Sequence, residues 1–149
     1  MTTITFSVPG VPVAKARPRA TTINGAARLY TPGKTRDYEQ QVAQAARSAM
    51  CKAPPLPGAV AVSLDIRLPV PASWSKTRRA DALAGRVFAT SKPDADNYAK
   101  AVLDGCNGVV FLDDAQVVRL TAQKRYAEEA GVDVQVTVLA GASVSIVKT

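Results

Sequence analysis

The sequence predicts an α+β fold, a mixed α/β arrangement with one mixed sheet of about four to five strands and two main helices packed on it. Three observations predict it. A period of two recurs over Ile4 to Val8, Val60 to Leu68 and Val132 to Val138, larger apolar side chains alternating with small or polar ones, the period of half-buried strands. Two longer stretches, Thr35 to about Met50 and Asp94 to about Asn107, repeat their apolar residues at helical spacing instead. Finally, 149 residues of which 47% are hydrophobic suffice for one buried core, so residues 1–149 read as a single domain with no internal repeat. The order is strand, basic loop, helix, strand, helix, strand, strand.

The first strand sets Ile4, Phe6 and Val8 against Thr3, Thr5 and Ser7, and Pro9-Gly10 ends it. From Val11 to Gly33 the chain is irregular and basic. Lys15, Arg17 and Arg19 stand at alternate positions and project to one side of an extended segment. Asn24-Gly25 is a turn signal, after which Ala26 to Tyr30 returns as a short strand. A solvated basic loop and a phosphate-contacting arm both fit this segment.

Thr35 is placed to cap the first helix, with Asp37 in its first turn. Tyr38, Val42, Ala45, Ala46 and Met50 share its buried face, and Lys34 and Arg36 extend the basic surface. Pro54-Pro55-Leu56-Pro57-Gly58 stops regular structure. Val60, Val62, Leu64, Ile66 and Leu68 then form the clearest strand, with Asp65 facing outward and Pro69 and Pro71 closing it. Ser73 is placed to cap a short helix holding Lys76, Arg78 and Arg79, closed by Gly85, with Trp74 as a core anchor ahead of a base-stacking platform. Residues 116–126 and 132–139 are strands, and the link from Ala127 to Gly131 is short enough for an antiparallel hairpin. The tail from Ala140 is small and apolar, an edge strand or a frayed end.

Composition removes several chemistries. The chain has no histidine, which excludes Ser-His-Asp triads, Cys-His pairs, imidazole zinc sites and histidine bases. Cys51 and Cys106 are far apart and are expected as two buried thiols, with no neighbouring cysteine to form a zinc pair. No apolar run approaches the roughly 18 residues that span a membrane, and the N-terminus lacks a signal-peptide pattern, so the expected location is the cytoplasm. A net charge of +7 favours a polyanionic partner.

Against that basic background, acids concentrate in one region. Asp94 can cap the second helix, which Asn107-Gly108 ends. At 100° per residue, Asp96, Asn97, Lys100 and Asp104 fall on one arc and Tyr98, Ala101, Val102 and Gly105 on the other. Lys100, four residues from both Asp96 and Asp104, reaches either. Beyond this helix, Val109-Val110-Phe111-Leu112 delivers Asp113-Asp114 directly out of an apolar run, which is costly for acids unless a cation shares the site. A capped helix with an ordinary surface ion pair accounts for part of this pattern. Paired carboxylates on a basic protein also suit a Mg²⁺-dependent phosphodiesterase, in which oxygen ligands hold a hard cation at a phosphate.

The run Lys92-Pro93-Asp94-Ala95-Asp96-Asn97, followed by Lys100, Asp104, Asn107-Gly108 and Asp113-Asp114-Ala115-Gln116-Val117, closely resembles the RusA family of Holliday-junction resolvases. Pro9-Gly10, the arm from Lys15 to Arg19 and Tyr30-Thr31-Pro32 look like that family too, so the resemblance runs over roughly residues 3–138. It implies a small endodeoxyribonuclease, common in bacteriophages and prophages, acting as a homodimer on four-way DNA junctions in recombination and repair. Mg²⁺ is the implied cofactor, Mn²⁺ a substitute, and no organic cofactor is implied. By position, the essential carboxylates fall on Asp94, Asp96 and Asp114, as catalytic residues and metal ligands, and the essential lysine on Lys100. Asp113 fits the motif as an orienting or outer acid, and Asp104 as a support for Lys100. DNA-backbone contacts are expected from Lys15, Arg17, Arg19, Lys34, Arg36 and Lys92. Two other readings stand beside this one: a Mg²⁺-dependent nuclease acting on flaps or duplex, and a non-catalytic DNA-binding module.

Overall fold

The computed structural model describes residues 2–16, 19–23, 26–30 and 33–140, with the segments 19–23 and 26–30 described by their backbone alone. A mixed sheet is formed by β1 (Thr3–Pro9), β4 (Val60–Leu68), β5 (Val117–Tyr126) and β6 (Gly131–Val138), in the order β1-β6-β4-β5. Two further strands, β2 (Arg19–Ile23) and β3 (Ala26–Tyr30), pair antiparallel as a separate ribbon, so the basic segment contains regular structure; the turn expected at Asn24-Gly25 lies outside the described residues. Three helices complete the fold: α1 (Gly33–Met50), α2 (Lys76–Leu83) and α3 (Ala95–Cys106), with a 3₁₀ turn at Asp114–Gln116. Among the described residues, no helix is long and apolar enough to cross a membrane.

The alternation read in β1, β4 and β6 meets in register. Ile4 stands opposite Val136 and Phe6 opposite Val134, while Val62 faces Val136 and Leu64 faces Val134 across the next ladder. These side chains make one apolar face, and α1 and α3 lie on it. Val8, Leu64, Ile66, Val42, Val102, Cys106 and Phe111 are fully or almost fully buried between the layers.

The expected hairpin between β5 and β6 does not form. β4 lies between them, antiparallel to β6 and parallel to β5. The link is short, but two strand spacings are only about 10 Å, a gap a few residues span as easily as one. β4 takes the centre because Val60, Val62, Leu64 and Ile66 are all buried, and a strand that apolar is best shielded with a neighbour on each side. β5 is left at the edge. A register shift between Val60 and Ala61 sets Val60 against Val117 and Ala61 against Arg119. Val118 then has no partner across the ladder and is 64% exposed, although simple alternation groups it with Leu120 and Ala122 on the apolar face.

Smaller differences have local causes. α1 begins at Gly33, so Thr35 lies within its first turn. Its hydroxyl is buried and accepts from the Ala16 amide at 3.4 Å instead of capping. α2 is capped by Ser75, whose hydroxyl accepts from the Arg78 amide at 3.2 Å, and not by Ser73. Trp74 packs edge-on against Tyr126 at 5.2 Å with the Arg78 guanidinium 3.7 Å from its ring centre, so it supports a small second cluster around Val70, Ala82 and Ala89. Cys106 is buried as expected, but Cys51, just beyond α1, is exposed; both are free thiols. Gly85 and Gly108, with φ of +83° and +79°, follow α2 and α3 in the left-handed region expected of helix stops. The tail expected to be an edge strand or frayed lies, from residue 141 on, outside the described residues.

Candidate active site

The site begins where α3 begins. Asp94 occupies the N-cap position in extended conformation, and its carbonyl accepts from the amides of Asn97 at 3.1 Å and Tyr98 at 3.3 Å. Its side chain makes no capping bond, which departs from the expected cap and leaves the carboxylate free of that role. Asp96, in the first turn, is exposed beside it. Neither carboxylate has a hydrogen bond or ion pair among the described residues. The turn that presents them is held from β5: Lys124 Nζ donates to the carbonyls of Ser91 at 2.7 Å and Pro93 at 2.8 Å. Lys124 was not singled out in the sequence. A lysine on the inward-facing side of an amphipathic strand was the signal that could have found it.

The helical arcs are as the sequence predicts. Tyr98, Ala101, Val102 and Gly105 are buried, and Asp96, Asn97 and Lys100 face solvent. Lys100 Nζ stands 2.9 Å from Asp104 Oδ1 and 3.1 Å from Asp114 Oδ2, so it joins the helix to the second acidic pair. The bond to Asp104, then that to Asp114, raises the Lys100 pKa above its ordinary value. Asp104 is engaged a second time, its Oδ2 lying 3.0 Å from Lys15 Nζ. Lys15 Nζ in turn lies 3.2 Å from both Glu39 oxygens. Burial lowers the pKa of Lys15, but its bonds to Asp104 and Glu39 outweigh this and raise it.

The acidic pair divides its tasks. The Asp113 side chain accepts from the Gln116 backbone while the Gln116 side chain accepts from the Asp113 amide, a capping box that fixes the turn. Gln116 Nε2 also donates to the carbonyls of Leu56 at 2.9 Å and Gly58 at 2.8 Å, pinning this turn to the start of β4. Asp113 is therefore a capping residue, and Asp114 points to Lys100.

Of the expected DNA contacts, Lys34, Arg36 and Lys92 are exposed and carry no ion pair among the described residues. Arg17 lies outside the described residues, and of Arg19 only the backbone, in β2, is described. Lys15 does not face a free surface; its ammonium is directed at two carboxylates.

Carboxylate oxygens are the donors a hard divalent cation prefers, and the unengaged Asp94 and Asp96 fit that chemistry. Among the described residues, however, no group of three or more acidic, histidine or cysteine side chains is gathered closely enough to hold an ion, and Asp114 is engaged by Lys100. The fit is therefore one of donor type.

An α+β fold that presents free carboxylates at a helix start, in a chain of net charge +7, has a makeup compatible with handling phosphate esters of nucleic acid. The chain belongs to the RusA endodeoxyribonuclease family, whose model, described as Endodeoxyribonuclease RusA, matches residues 9–137. It is also similar to a protein of Bacillus subtilis (strain 168) described as uncharacterized protein YqaN, 38% identical over 138 residues that cover 91% of this chain and 96% of the relative.

Proposed function

We propose that this protein resolves four-way DNA junctions by paired, symmetric phosphodiester hydrolysis, acting as a homodimer in recombination and repair in a bacterial cell, from a phage, prophage or host gene. The observation that supports the reading is the Lys100 to Asp114 contact at 3.1 Å, which ties the second acidic pair to α3, the helix that Asp94 and Asp96 open, inside a chain of the RusA family.

Asp94, Asp96 and Asp114 would hold Mg²⁺, with Mn²⁺ as substitute, which supplies an activated water and neutralises charge at the scissile phosphate. Lys100, positioned by Asp104, would stabilise the negative charge that builds on the phosphate oxygens as a water oxygen bonds to phosphorus and the P–O ester bond breaks. The chain has no histidine, so the proton of that water leaves to a carboxylate or to solvent. Lys34, Arg36 and Lys92, with Arg17 and Arg19, would grip the DNA backbone without reading bases. Two opposed nicks call for two sites related by a two-fold axis, hence the homodimer.

Asp96→Asn tests the reading. Cleavage of a synthetic four-way junction in Mg²⁺ should fall by more than about 100-fold, since even outer partners of a metal site are worth roughly 10- to 100-fold. Junction binding should persist. Retained cleavage would defeat the ligand assignment, and wild-type protein that cuts flaps or linear duplex as fast as junctions would point to the broader nuclease.

A further inference from the structure

We propose that Lys15 is a positioning residue for Lys100, acting through Asp104. The inference rests on the nuclease reading of the site, and it moves Lys15 from the DNA-gripping arm into the support of the active centre.

Five side chains of alternating charge run in a line: Glu39 on α1, Lys15 between β1 and β2, Asp104 and Lys100 on α3, and Asp114. Only Lys100 in this line is largely exposed; Asp114 at its end is 25% exposed. The side chains of Glu39, Lys15 and Asp104 are 18%, 21% and 18% exposed, whereas that of Lys100 is 52% exposed. Each Asp104 oxygen has its own lysine, Oδ2 at 3.0 Å from Lys15 and Oδ1 at 2.9 Å from Lys100. A carboxylate gripped at one oxygen turns easily about its last torsion, which is broad and roughly two-fold; gripped at both, it has one orientation. Lys15 thus fixes the acceptor that aims Lys100.

Lys15 is itself held by its backbone. Its amide donates to the Asn97 carbonyl at 2.9 Å, and the next amide, of Ala16, donates to the Thr35 hydroxyl at 3.4 Å. An ammonium has three donors, and the contacts to both Glu39 oxygens and to Asp104 occupy them, leaving none for a DNA phosphate. Glu39 also supplies the second negative charge that Asp104, shared between two lysines, cannot.

The test compares Lys15→Met, which keeps the apolar stem and drops the charge, with Lys15→Arg and Asp104→Asn, all in the full chain and all checked for an unchanged melting transition. In ¹⁵N spectra that detect lysine ammonium protons, Lys100 should give a signal in wild type and in Lys15→Arg, and lose it in Lys15→Met and Asp104→Asn. This readout needs no activity, so it stands even if the protein cleaves nothing and the proposed function fails. In single-turnover junction cleavage, Lys15→Met should be slower by about ten-fold, and the double variant with Asp104→Asn no slower than Asp104→Asn alone. The salt dependence of junction binding should keep its slope in Lys15→Met. A slope lower by about one would mean that Lys15 grips a phosphate, and would overturn the proposal. So would additive rate losses, or a Lys100 signal that survives Lys15→Met. If Lys15→Met does not fold, Glu39→Gln, which removes one of the carboxylate charges holding Lys15, is expected to act in the same direction with a smaller effect, and no effect on the Lys100 signal or on cleavage would be equally fatal.

Discussion

Asp94 and Asp113 each open a helical turn, and they do opposite things. Asp113 accepts from the backbone of its own turn, whereas Asp94 caps with its carbonyl alone and keeps its carboxylate free. Both sit one position before a helical segment, so sequence position could not separate them; the direction of each side chain does. The two cysteines divide in the same way. Burial pushes the Cys106 thiol up to about 12, while Cys51 stands exposed past the end of α1. A thiol reagent at about pH 8 should therefore modify one cysteine per folded chain, because Cys51 alone is exposed to it, and a second only in denaturant. Rapid modification of Cys106 in the folded protein would contradict that environment.

At the level of elements, α1 and α3 pack closely, and Lys15 bridges Glu39 on one to Asp104 on the other. Gly105 lets them approach. A β-carbon there would stand 2.6 Å from Val42 Cβ and 2.8 Å from the Glu39 carbonyl, neither of which is the far end of a flexible chain. Gly105→Ala should thus overpack the contact and cost about 1–3 kcal/mol, read as a lower urea midpoint. Because Glu39 and Asp104 ride on these same helices, the variant should also slow cleavage; a midpoint unchanged from wild type would show that the helices can part freely. The helical arcs of α3 were legible, since the 3.6-residue period alone separates Asp96, Lys100 and Asp104 from Tyr98, Val102 and Gly105. The pairing of β5 was not. Alternation fixes which side chains share a face, but not which strand lies alongside, and a one-residue bulge then displaced Val118 from the face that alternation assigned it.

Over the whole molecule, the sheet has one covered face and one polar face, and charge on the polar face ties its strands. Asp65 on β4 accepts from Arg125 Nε at 3.0 Å and Nη2 at 2.9 Å, and from Gln123 Nε2 at 3.0 Å, all on β5. The Arg125 bonds, against the opposing effect of burial, hold the Asp65 carboxyl below its ordinary value. A depressed folded value stabilises the protein above the unfolded pKa, near 3.9, and that contribution is lost as pH falls through the folded value. Asp65→Asn should lower the urea midpoint near neutral pH, and the gap to wild type should close as pH drops below about 4. A gap that is constant from pH 6 to pH 2 would remove the ionic account. Sequence reading gave Asp65 an outward surface role; its partners came from the parallel pairing with β5, which was not foreseen.

The sequence by itself determined the class of fold, the strands β1, β4 and β6, the two faces of α3, the exclusion of histidine chemistry, and the motif that places the chain in its family. All of these are local periods, compositions or fixed spacings. Only the tertiary structure decided that β4 separates β5 from β6, that Lys15 serves Asp104, that Lys124 holds the turn before Asp94, and that Asp113 caps while Asp114 meets Lys100. Each of these is a contact between residues distant in sequence. Such contacts depend on which elements lie side by side and on the few ångströms between side-chain tips, and no period along the chain encodes either.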